Sequence, residues 1–99
     1  MKSFLLFFIL SFLLSFTLFA QDGERDGSSY EKAIVILETT ETVGVHAEYK
    51  WLSENYPRYK MKKQALSYYN GKPYDILFIK QKGKKKKIYF DISAFFGKF

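Results

Sequence analysis

No charged residue occurs between Lys2 and Asp22, and residues 4–20 are almost entirely Phe, Leu and Ile with a few Ser and Thr. A positive start, an apolar run and a small residue at its end form a secretory signal peptide, with cleavage expected between Ala20 and Gln21. Leu18 departs from the pattern, since a small residue is preferred there. An uncleaved anchor competes with this reading, because a run of about 17 residues reaches the lower limit for a bilayer-spanning helix. No basic cluster follows the run, which favours cleavage. With no cysteine to acylate, the chain is not a lipoprotein. The expectation is export, to the periplasm or out of the cell, in a mature form that does not span the membrane.

Removal of 20 of the 99 residues leaves 79, enough for one small domain. Such a chain buries a modest fraction of its surface and is marginally stable. Exported domains of this size commonly rely on disulfides, which a chain without Cys cannot form. One His and no thiolate also exclude a structural zinc site. Packing must carry the fold, and the Tyr, Phe and Trp residues, each covering about 150–250 Å², are the means. The formal charge of +6 becomes about +5 once Lys2 is removed. It is unevenly spread: residues 22–54 are acidic on balance, and most lysines follow Arg58.

Residues 21–29 read as a flexible polar lead-in, or Asp26-Gly27-Ser28-Ser29 as a turn that starts the fold, and 30–99 as a single domain. The apolar run 33–37 (AIVIL) predicts a strand buried on both faces. Residues 39–42 offer helix caps. Val45, Tyr49, Leu52 and Tyr56 recur at the 3.6-residue period and predict a helix, broadened by Ala47 and Trp51. Pro57 ends it.

Residues 59–69 predict a strand with a bulge among Lys60, Lys62 and Lys63. Asn70-Gly71 marks a hairpin, and Pro73 sits near the start of the next strand. That strand turns Tyr74, Ile76 and Phe78 one way and Leu77 and Ile79 the other. Gly83 lies in a second turn, and 85–93 form a last strand with Ile88, Phe90 and Ile92 facing inward. Phe95, Phe96 and Phe99 are expected to fold back over the sheet. The fold class is α+β in the order β-α-β-β-β: one helix packed on a mainly antiparallel four-stranded sheet. Cystatin-like domains share this topology, an analogy that carries no function.

The segments DGSSYEKAI (26–34), EYKWLSENYPRYK (48–60), NGKPYDI (70–76) and IYFDISAFFGKF (88–99) resemble a family of short exported bacterial proteins, uncharacterised as to activity. The resemblance implies a secreted single domain and assigns no site residue. A second similarity is to cystatin inhibitors: Gln64-Ala65-Leu66-Ser67 precedes a hairpin as the inhibitory Gln-x-Val-x-Gly loop does. Here Tyr68 replaces the glycine and no Pro-Trp pair follows.

Catalytic patterns are thin. His46 stands alone on the helix, without a nucleophile or an orienting carboxylate at suitable spacing. Asp75 and Asp91 are expected to face outward on neighbouring strands, as ordinary cross-strand partners of Lys and Tyr. The glycines occur singly, so no phosphate-cradling loop exists. No catalytic residue, metal ligand or cofactor site is assigned, and the chain reads as non-enzymatic.

Lys80, Lys82, Lys84, Lys85, Lys86 and Lys87 surround Gly83 as a positive hairpin tip. Such a tip keeps strand ends from pairing with other chains, and it also attracts anionic surfaces. A non-enzymatic binding module for a macromolecule or an anionic envelope surface is the leading expectation. A cystatin-like inhibitor of a protease or hydrolase is the alternative, with a protein partner. Export makes nucleic acid an uncommon partner.

Overall fold

The structure is a computed structural model and describes residues 25–99. The expected signal peptide, its cleavage point and residues 21–24 lie outside the described residues. The elements are β1 (Ile34–Val35), α1 (Glu41–Asn55), β2 (Lys60–Tyr69), β3 (Lys72–Gln81) and β4 (Lys84–Asp91). They form the expected α+β fold. The sheet order is β1-β4-β3-β2, with β1 parallel to β4 and both hairpins antiparallel.

Two short turns set the register. Asn70 and Gly71 have φ of 52° and 75°, and Lys82 and Gly83 repeat the geometry at 51° and 77°. Paired positive φ values give the type I′ twist that suits a two-residue hairpin. From the first turn the ladder runs Tyr69–Lys72 back to Lys63–Phe78, then shifts by one residue at the expected bulge, between Met61 and Lys63. From the second it runs Gln81–Lys84 to Tyr74–Asp91.

Leu77 and Ile79 on β3 and Ile88 and Phe90 on β4 meet Ile36, Leu52, Ile92 and Phe95 in one core. The predicted helical stripe packs here, but its deepest row is Gly44, Glu48 and Leu52. Val45, Tyr49 and Tyr56 flank that row and are half-buried. The cause is Phe95, whose ring lies where a β-carbon on residue 44 would be, so the helix approaches along its glycine. The caps also differ from expectation. Thr40 makes no side-chain capping bond; the Glu41 N–H donates to Lys98 O (2.7 Å) and the Gly97 N–H to Glu41 Oε2 (3.2 Å). The chain end thus caps the helix start. Only Phe95 of the three terminal phenylalanines is buried; Phe99 is fully exposed.

Two expectations are corrected. The run 33–37 is not buried on both faces: Ala33 and Ile36 are buried, whereas Val35 and Leu37 are 40 % and 78 % exposed. As the edge strand, β1 has a partner on one side only, and an apolar run does not distinguish edge from centre. Of the two readings of residues 26–29, the turn that starts the fold holds and the flexible lead-in is corrected. Gly27 is buried, accepts from the Tyr89 N–H and donates to Lys32 O; Ser28 N–H donates to Asp26 Oδ1 in the turn. Tyr30 then lies across the sheet face opposite the helix, stacked on Tyr69 at 4.3 Å and edge-on to Tyr74 and Tyr89. Its hydroxyl meets Ser67 Oγ at 2.6 Å.

Candidate functional site

Residues 25–30 cover the tyrosine-rich half of that sheet face. The other half, toward the Lys82-Gly83 turn, holds a groove of about 550 Å³ lined by Lys62, Lys63, Phe78, Ile79, Lys80 and Lys85–Lys87. Register explains the clustering. Phe78 pairs with Lys63 on β2 and Lys87 on β4, and Lys80 pairs with Lys85. Side chains at i and i+2 share a face, so the two rows lie together. The ammonium groups of Lys63 and Lys87 lie over the Phe78 ring, 5.3 and 5.5 Å from its centre.

The six lysines singled out in the sequence are therefore not a single prong. Lys80, Lys85 and Lys87 line the groove. Lys86 also belongs to its wall, but its ammonium lies 5.4 Å from the Tyr56 ring. Lys82 and Lys84 stand exposed at the turn. Sequence reasoning missed Lys62, Lys63 and Phe78 as parts of the same site. Counting back from Asn70-Gly71 and Gly83 would have aligned Lys63, Phe78 and Lys87, because a two-residue turn fixes every pair behind it.

Among the described residues, no carboxylate lines the groove. Beyond Asn55 the chain carries twelve of its sixteen basic residues and two of its ten acidic ones. Those two, Asp75 and Asp91, are both buried. The expectation that they face outward side by side is corrected: they lie on opposite faces of the sheet. Asp75 shares the helix-facing side with Leu77 and Ile79, whereas Asp91 accepts from the Ser93 N–H (3.0 Å) and hydroxyl (2.6 Å) and stabilises the final turn.

Asp75 faces Glu48, which is 1 % exposed in the middle of α1. Neither Glu48 oxygen has a partner at hydrogen-bonding geometry. Burial above all, then the facing Asp75 carboxyl, pushes Glu48 up to about 9, so it is protonated at neutral pH. Burial and the same carboxyls also raise the Tyr49 hydroxyl. Neither the groove nor a smaller cleft of about 280 Å³ between β1 and α1 is lined by this pair.

His46 is exposed on α1, and Gln64–Ser67 lie inside β2, not in a loop. Among the described residues, no cluster of three or more His, Cys, Asp or Glu side chains is arranged to hold a metal ion. No helix among them is long and apolar enough to cross a membrane. Known protein families, curated proteins and solved structures offer no match to this chain.

Proposed function

We propose that the mature protein is a non-enzymatic exported domain that binds an anionic surface of the cell envelope through the lysine-lined half of its sheet. The observation that carries this reading is the groove itself: lysines from three strands converge on one face, and no carboxylate of the described residues lies among them. Like charges directly opposite one another, as in Lys80–Lys85, destabilise a sheet. An external anion offsets that repulsion.

Co-sedimentation with vesicles tests the reading. The parent protein should bind anionic but not neutral vesicles at low salt. Binding should weaken at physiological salt, where the Debye length is about 8 Å. Each basic residue near the surface contributes about 1 kcal/mol. Replacing Lys63, Lys80, Lys85 and Lys87 together with Gln should therefore abolish binding without unfolding the domain. A parent that binds neither vesicle, or a variant that binds as well as the parent, rules the reading out.

A further inference from the structure

We propose that the groove over Phe78 is a discrete site for one amphiphilic phosphate monoester. Its phosphate is seated between Lys63 and Lys87, and its apolar body lies along the ring and the lysine stems. This rests on the reading of the lysine face given above and asks for more than general attraction.

Three observations carry it. First, Lys63 and Lys87 start from strands on either side of β3, roughly 10 Å apart at about 4.8 Å per strand. Both nonetheless lean over the same ring. The ring attracts each ammonium, and each keeps N–H groups with which to donate to an anion. Second, the neighbouring row, Lys80 opposite Lys85, adds two more positive charges without a carboxylate. A phosphate monoester carries roughly −1.5 to −2 charges at pH 7 and three acceptor oxygens. It can therefore accept from Lys63 and Lys87 together, whereas a carboxylate or phosphodiester brings a single charge.

Third, the Phe78 ring and the lysine stems give the groove carbon-rich walls. Its volume of about 550 Å³ is that of a site for a single small molecule. Inorganic phosphate would leave those walls uncovered, and an acidic polysaccharide has no apolar body to lay against them. A lipid-type phosphate satisfies both parts of the site.

The experiment is a calorimetric titration of the protein in its exported form with dihexanoyl phosphatidic acid, kept below its micelle concentration. Inorganic phosphate and dihexanoyl phosphatidylcholine serve as comparisons. The phosphatidic acid should bind one to one and about tenfold or more tighter than either comparison. Lys63→Gln with Lys87→Gln should weaken it about tenfold or more, the scale of one lost charge-assisted hydrogen bond. Phe78→Leu should weaken phosphatidic acid and leave inorganic phosphate unchanged. Lys82→Gln with Lys84→Gln, the same charge loss at the exposed turn, should change affinity by less than about twofold; circular dichroism checks that each variant is folded.

Equal binding of inorganic phosphate overturns the proposal in favour of a free-phosphate site. A turn variant that loses as much as the groove variant overturns it in favour of diffuse charge. No binding of the monomeric lipid also overturns it. If the parent still binds anionic vesicles in that case, only the discrete seat is lost; if it binds neither, the surface reading falls as well.

Discussion

Glu48 of α1 and Asp75 of β3 face each other across the helix–sheet interface, carboxyl to carboxyl, with Glu48 sealed from solvent. Burial above all disfavours its charged form, and the facing Asp75 carboxyl adds to this, so Glu48 keeps its proton. Folding raises its pKa from an ordinary 4.5 to about 9. Below 4.5 both folded and unfolded chains hold the proton, and the stability is full. Between 4.5 and 9 the unfolded chain has released it and the folded one has not, so stability falls as pH rises.

Glu48→Gln removes this dependence. The variant should gain on the parent by about 1.4 kcal/mol per pH unit over that window, the free energy of one pKa unit. Urea unfolding at pH 4, 6 and 8 measures it. Parent and variant curves that stay parallel would show that Glu48 is ionised in the folded protein.

The Gly44–Phe95 contact predicts the reverse of a helix-propensity rule. Ala in place of a mid-helix Gly ordinarily stabilises by about 1 kcal/mol. At position 44 the added carbon would overlap the Phe95 ring. Gly44→Ala should instead destabilise, by roughly 1–3 kcal/mol as for overpacked cores. Adding Phe95→Leu should recover part of that loss relative to Phe95→Leu alone. Thermal unfolding of the four proteins closes the cycle, and an additive result would refute the contact.

Leu52 and Phe90 are both completely buried and belong to one core. Truncating either to Ala should cost roughly 2–5 kcal/mol. A domain of this size has about that much in reserve, so both variants should be largely unfolded at 37 °C by circular dichroism. Melting with the parent would contradict the packing.

The proposed export makes a prediction of its own. The protein recovered outside the cytoplasm should begin at Gln21, intact or cyclised, and intact-mass spectrometry decides it. A species that retains residues 4–19 would favour a membrane anchor and sink the cleavage assignment.

Local signals in the sequence determined most of the element types. A 3.6-residue period, a terminating Pro57 and two turns containing Gly71 and Gly83 each act within a few residues, so the helix and both hairpins were legible. The alternation of β4 also assigned Ile88 and Phe90 to the core side, and that of β3 separated Leu77 and Ile79 from Tyr74, Ile76 and Phe78 without saying which set the core would take. Tertiary structure alone decided what depends on which element lies beside which. β1 became an edge, and its run of apolar residues could not say so. α1 packs its Gly44 against Phe95, and on that same row Glu48 lies at the centre of the inner face, against Asp75. The lysines around Gly83 were conspicuous as a run, yet strand alternation distributed them between two faces and the turn. Only pairing with β2 brought Lys62 and Lys63 to the same groove. A sequence displays charge along one dimension, whereas a site is assembled by neighbours across strands, and that neighbourhood exists only once the sheet has formed.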